Sequence, residues 1–253
     1  MTAALSCALP GGSALVTGGR SGIGRAIVEV LANAGVPVVS LDLSDPTSAP
    51  ATSGVVEAVG DVTDEASVRA VLDSIDPQTP LAYLVNCAGI HQQTPLAETS
   101  VADWHRLLDV NLIAPAIVAQ ACLPMLASSG CGAIVNVTSL EASRIVALVH
   151  TTPVPHYAAS KAALDILTRT MARDYATHGV RVNAVAPGFI FTPMAAVNHG
   201  GATSLPGPVQ PRVPMGRYAD ATEVGSVVAF LLSQGASYMT GASILVDGGF
   251  CLT

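Results

Sequence analysis

The chain is almost without lysine: Lys161 stands alone against ten arginines in 253 residues. Charge of either sign is scarce, at 11% of positions, while half of the residues are apolar. That balance excludes a disordered chain and leaves enough apolar side chains for a large core. Acids outnumber cations 18 to 11, for a formal net charge of -7. No basic patch remains to hold nucleic acid or an anionic membrane, so neither partner is expected. Cysteine is sparse and scattered: Cys7, Cys87, Cys122, Cys131 and Cys251 form no CxxC pair and no metal-ligand spacing. A disulfide framework and a metal site are therefore not expected, and reduced thiols point to the cytoplasm. Uninterrupted apolar runs are missing too. VNLIAPAIVAQACLPML is broken by Asn111, Pro115, Gln120 and Pro124 before it reaches a membrane span, and MTAALSCALPGG lacks the basic start of a signal peptide.

What is present is concentrated between Gly132 and Lys161, where an apolar run, GAIVNVTS, is followed by a loop and then by HYAASK opening a helix. Tyr157 and Lys161 are four residues apart, so both leave one helix face and can reach one ligand. Using a phenol as proton donor and acceptor near neutral pH requires lowering its pKa by ~3 units, or ~4 kcal/mol. One cation ~4 Å away supplies about that much at an effective dielectric of ~20. A compact ammonium does this in a way that a planar guanidinium does not.

The rest of the chain alternates strands and helices. SALVT runs into GGRSGIG and then a helical pattern that stops at Gly35. In this strand, glycine turn and helix, Gly18, Gly22 and Gly24 let the backbone approach a pyrophosphate at the positive helix end. The second strand ends on Asp42, eighteen residues past Gly24. An acid there binds adenosine ribose hydroxyls and repels the extra phosphate of NADP, which favours NAD. Arg20 dissents from that reading; it is either solvated or faces the pyrophosphate. Leu43 to Gly54 reads as an irregular crossover. Asp61, after the third strand, either meets the adenine or caps the next helix. Asn86, Ala88 and Gly89 close the fourth strand, at the edge where parallel sheets bind ligands. A long helix follows, with polar Asn111 inside it and Pro115 expected to bend it. Ser139 ends the fifth strand, with Thr138 beside it as an alternative hydroxyl. Pro187, Gly188 and Thr192 end the sixth. Residues 193–215 have little periodicity and read as a lid over the substrate. No second domain is evident, so 1–253 reads as one unit.

These stretches together resemble the short-chain dehydrogenase/reductase family over nearly the whole chain. The motifs are TGGRSGIG (17–24), NCAG (86–89), Asn111, Ser139, YAASK (157–161), Pro187 with Gly188, and VDGG (246–249). The resemblance implies an α/β fold: a single doubly wound Rossmann-type domain with a seven-stranded parallel sheet and helices on both faces, usually assembled as a homotetramer through its two long central helices. It implies that Tyr157 exchanges a proton with the substrate oxygen and that Ser139 hydrogen-bonds that oxygen. Lys161 would hold the nicotinamide ribose and depress the Tyr157 pKa, and Asn111 would maintain a proton path. Cofactor contacts are expected along Gly18, Arg20, Ser21, Gly22, Ile23, Gly24, Asp42, Asp61, Val62, Asn86, Ala88, Gly89, Pro187, Gly188, Ile190 and Thr192, besides Tyr157 and Lys161.

The expected activity is NAD-dependent hydride transfer to or from a small-molecule secondary alcohol or ketone. The alternatives are an NADPH-dependent 3-oxoacyl-thioester reductase and a non-catalytic NAD(H) sensor. Two features depart from the family: the short second crossover, and a long loop from Ser139 to Tyr157 that carries Glu141, His150 and His156. These three read as solvated side chains, with a substrate-binding role as the competing possibility. Within the lid, Met194, Val197, Leu205 and Val213 with Asn198 and His199 suit an apolar alcohol, a cyclic ketone, a steroid or a dihydrodiol. Arg212 and Arg217 either bind a carboxylate or stand exposed.

Overall fold

SALVT is buried at every position, as a strand covered on both faces must be. The strands are β1 (Ser13–Thr17), β2 (Val38–Asp42), β3 (Val55–Val59), β4 (Leu81–Asn86), β5 (Ala133–Val137), β6 (Arg181–Pro187), the short β7 (Ile190–Phe191) and β8 (Ala219–Asp220), and β9 (Ser243–Val246). This computed structural model describes residues 8–44, 52–144, 146, 154–192 and 204–253. Seven strands form one parallel sheet in the order β3-β2-β1-β4-β5-β6-β9, and β7 pairs with β8 apart from it. The expected doubly wound architecture is therefore present.

Helices α1 (Gly22–Asn33) and α6 (Ala221–Leu232) cover one face. Their Ile27, Leu31, Val224 and Val228 pack on inward residues of β1, β4 and β5. The two helices approach closely at Gly225, where a Cβ would stand 3.1 Å from the Val30 side chain and 3.3 Å from the Ala26 carbonyl. The other face carries α2 (Glu65–Asp73), α4 (Ala114–Ser128) and α5 (Pro155–Tyr175), through Val68, Leu72, Val118, Leu126 and Met171.

Helix α3 (Val101–Leu108) runs into α4 through a π-helical turn at Asp109–Ile113. The expected bend is thus a change of helical pitch. Pro115 follows directly on the π-helical turn, so its missing N–H falls where the regular helical ladder is already interrupted. Val101–Ser128 is long and apolar enough by composition to cross a membrane, contrary to the expected interruptions. Its Ala114, Val118, Ala119, Cys122 and Leu126 instead pack into the core against the sheet.

One loop expectation changes. Most of the crossover between Leu43 and Gly54 lies outside the described residues, as do 193–203 of the lid with Met194, Val197, Asn198 and His199. Residues 204–215 are not structureless. Leu205, Val209 and Val213 are buried with Leu140, Tyr218 and Phe250 in a third apolar cluster, so Leu205 and Val213 anchor the segment.

Candidate active site

Strand order reverses beside β1, and the carboxyl ends of the strands open there into a cleft with a volume of about 480 Å³, the expected ligand position in such sheets. Seventeen of the residues read from the sequence line it: Gly18, Ser21, Gly22, Ile23, Gly24, Asp42, Asp61, Val62, Ala88, Gly89, Ser139, Tyr157, Lys161, Pro187, Gly188, Ile190 and Thr192. Arg20, Asn86 and Asn111 do not.

One half of the cleft fits a dinucleotide. Gly18 has φ +67°, and a Cβ there would stand 2.8 Å from the Ala88 backbone; one on Gly24 would stand 2.0 Å from the Gly18 carbonyl. Only glycine builds this turn. Helices α3 and α6 begin with capping boxes, and Asp64 caps α2. By contrast, Ser21 makes no side-chain cap at α1, and no acid occupies its first turn. The leading N–H groups of α1 are thus left to an anionic ligand. At the end of β2, Asp42 accepts from the Arg20 N–H at 3.2 Å and from the Ser44 hydroxyl at 2.8 Å. Asp61 accepts from the Thr63 N–H and hydroxyl; since Asp64 caps α2, Asp61 is not the helix cap.

The expected cofactor contacts from Arg20 and Asn86 need correction. The Arg20 side chain is 2% exposed and donates to Glu57 at 3.3 Å and to the Ala58 carbonyl at 3.2 Å. It is neither solvated nor on the cleft wall. The Asn86 amide donates to Asn136 and to the Pro115 carbonyl, which ties β4 to β5 and α4 behind the cleft.

The other half holds Ser139, Tyr157 and Lys161. Ser139 stands two residues past β5, accepts from the Glu141 N–H at 3.2 Å, and acts on the Tyr157 phenol so as to favour its ionised form. Thr138 donates to the Val185 carbonyl, so the alternative hydroxyl is engaged in the sheet. Lys161 is buried and donates to the Val137 carbonyl at 2.9 Å, with its ammonium 5.9 Å from the Tyr157 ring centre. Asn111, in the π-helical turn, clamps Ile90 by donating to its carbonyl and accepting from its N–H, each at 2.9 Å, and donates to Ser160. It acts on the cleft from behind: a Cβ on Gly89 would meet both Asn111 Oδ1 and Lys161 Nζ within 3.4 Å.

The expected lowering of the Tyr157 pKa by Lys161 is not found. Burial, followed by the Glu141 carboxylate and Cys87, holds the phenol above its ordinary value, against the Ser139 hydrogen bond. Lys161 itself is lowered to about 8, because burial disfavours the ammonium.

Of the three loop acids and bases, Glu141 and His156 depart from the expected solvated state. His150 lies outside the described residues. His156 is fully buried against Trp104, with ring centres 5.9 Å apart. Glu141 has one carboxyl oxygen sealed from solvent without a partner among the described residues, and burial raises its pKa to about 7. Arg212 donates to the Thr253 carbonyl, and Arg217 forks onto Glu223 at 2.7 and 2.9 Å. Neither arginine is an open carboxylate receptor.

The sequence reading missed Cys87, His91, Phe189 and Tyr218, which also line the cleft. His91 meets the Tyr157 ring edge-on at 4.7 Å. Its place just beyond NCAG, at the ligand-binding edge, was the available signal.

The chain belongs to the short-chain dehydrogenase/reductase family. A family model described as "Enoyl-(Acyl carrier protein) reductase" matches residues 18–251. The chain is similar to (3R)-3-hydroxyacyl-CoA dehydrogenase of Homo sapiens, at 37% identity over 93% of this chain and 94% of that protein. It is 39% identical to galactitol 2-dehydrogenase of Rhizobium johnstonii over 96% of each. A blue fluorescent protein from a metagenomic library, solved in complex with NADPH, superposes with a TM-score of 0.83 at 34% identity, covering 96% of this chain and 98% of that one.

Proposed function

We propose that this protein is an NAD-dependent dehydrogenase that moves a hydride between a nicotinamide cofactor and a small secondary alcohol or ketone. The observation that carries this is the convergence of Ser139, Tyr157 and Lys161 on one cleft with the uncapped glycine turn of α1. The nicotinamide, when bound, supplies the hydride acceptor or donor. In the reductive direction Tyr157, which burial keeps protonated, gives its proton to the carbonyl oxygen of the substrate while Ser139 holds the same oxygen. Lys161 places a cation behind the phenol, within the cleft where the cofactor ribose would lie, and Asn111 fixes the Ile90 backbone at its floor. Asp42 supports NAD, since a carboxylate at the end of β2 accepts from ribose hydroxyls and repels a ribose phosphate.

The dehydrogenase relatives, one for a hydroxyacyl-CoA and one for a sugar alcohol, support a hydroxyl or keto substrate and leave its shape open. A thioester reductase using NADPH is the second reading. The family model's description and the NADPH-bound neighbour favour it, and Asp42 opposes it. We further propose a cytoplasmic homotetramer.

The test follows cofactor absorbance against alcohols, ketones, diols and 3-oxoacyl thioesters, with Tyr157→Phe as control. Turnover linked to NAD, reduced at least ~100-fold in the variant, is the expected result for loss of a general acid/base. Equal turnover in Tyr157→Phe would remove Tyr157 from the chemistry.

A further inference from the structure

Two arginines lie beneath the adenosine end of the cleft, and one carboxylate holds both. Glu57, on β3, accepts from Arg20 Nε at 3.3 Å and from Arg25 Nη1 at 3.0 Å. Arg25 also reaches Glu29 at 2.8 Å and the Thr52 hydroxyl at 2.6 Å, which fixes it from two further sides. Arg20 has fewer ties. Its Nη2 donates to the Ala58 carbonyl, and its Nη1 is buried with no partner among the described residues. Its own backbone N–H donates to Asp42, so the side chain is rooted beside the acid that would face the cofactor ribose.

We infer that Glu57 is a positioning residue for cofactor choice: it holds the Arg20 guanidinium under β3 and away from Asp42. The inference rests on the reading of this cleft as a dinucleotide site. Without Glu57, Arg20 and Arg25 would be two neighbouring cations, and Arg20 would have a buried, incompletely bonded fork that needs an anion. Two anions are then in competition for it. One is Asp42, whose pairing with Arg20 would take the acid from the ribose hydroxyls. The other is a ribose phosphate, which a guanidinium binds through two parallel hydrogen bonds. Both outcomes move the preference in the same direction, against NADH and toward NADPH. Glu57 therefore lets the chain keep a cation next to its selectivity acid without accepting the phosphate.

The experiment titrates NADH and NADPH separately onto the full chain and reads cofactor fluorescence, for wild type, Glu57→Gln, Arg20→Ala and the double variant. Circular dichroism checks that each is folded. The expected result is a fall of about tenfold in the ratio of the NADPH to the NADH dissociation constant in Glu57→Gln, a charge-assisted hydrogen bond being worth about that much. The fall should vanish in the double variant, since the released group is Arg20. An unchanged ratio in Glu57→Gln, or a shift that survives removal of Arg20, would overturn the inference. Should Glu57→Gln not fold, Glu57→Asp keeps the charge but is too short to bridge both arginines, and a shift in the same direction is required of it. Wild-type protein that binds NADPH more tightly than NADH would sink the NAD reading instead, while the clamp would still stand or fall on the shift between variants.

Discussion

Glu141 lies two residues past Ser139, in a short turn where one carboxyl oxygen is cut off from water. Burial raises its pKa from 4.5 to about 7. An unfolded chain releases this proton first, so between those values the folded form holds a proton that the unfolded form has lost. Folding is therefore progressively disfavoured as pH rises from 4.5 to 7, and the penalty is complete above 7. Replacing the group by a neutral amide removes the titration. Glu141→Gln should raise stability at pH 8 by roughly 2 kcal/mol after allowance for the part of the side chain open to water. That corresponds to roughly 5 °C in Tm for a chain of this size. At pH 4.5 the variant and wild type should melt together, and thermal scans at both values check it. A constant offset at the two pH values would mean packing, not ionisation, sets the difference. Tyr157 and Lys161 were legible in the sequence because a lone lysine at helical spacing from a tyrosine is a local pattern. The state of Glu141 was not, since nothing in TSLEASR reports which loop residues fold back into the protein.

At the scale of elements, strands and helices followed from apolar runs and their stops, down to the Gly35 turn at positive φ. What escaped was how elements bear on one another. Asn86 read as a cofactor contact and Asn136 drew no reading, yet together they form a hydrogen-bond chain from β4 through β5 to Thr168 of α5. His156 belongs to the same class. It opens α5, packs on Trp104 of α3, and has both ring nitrogens buried without partners among the described residues. Burial, helped by Arg106 and opposed by Asp103, lowers its pKa below 6.5. The folded protein thus keeps this ring neutral where the unfolded chain would protonate it, and stability is lost as pH falls through 6.5 and below. His156→Leu, which cannot take the proton, should show a shallower fall in Tm between pH 7.5 and 5.5 than wild type. Parallel curves would assign the acid sensitivity to another group.

For the whole molecule, the doubly wound parallel sheet was expected from the family resemblance that the glycine turn and NCAG carry, while its strand order was not read. The outer surface was not, because exposure depends on which helix face the sheet takes. Helix α4 is apolar nearly all round, with Gln120 and Ser128 its polar exceptions, while only one side of it packs on the sheet. A helix of that kind is ordinarily covered on both sides. Ile113, just before α4, is 46% exposed, and Ile166, on the neighbouring α5, is 59% exposed. A second chain laid across these two helices would remove both from water, at about 25 cal/mol for each Å² of apolar surface covered. The proposed tetramer therefore places this face in an interface, and a charge there should open it. Wild-type protein should sediment near four times the 25.5 kDa chain. Ile166→Asp should shift to a smaller species at micromolar concentration while its far-ultraviolet circular dichroism is retained, because Ile166 contributes little to the core of its own chain. An Ile166→Asp variant that keeps the wild-type mass would place the interface on another face, and a wild-type monomer would remove the tetramer altogether.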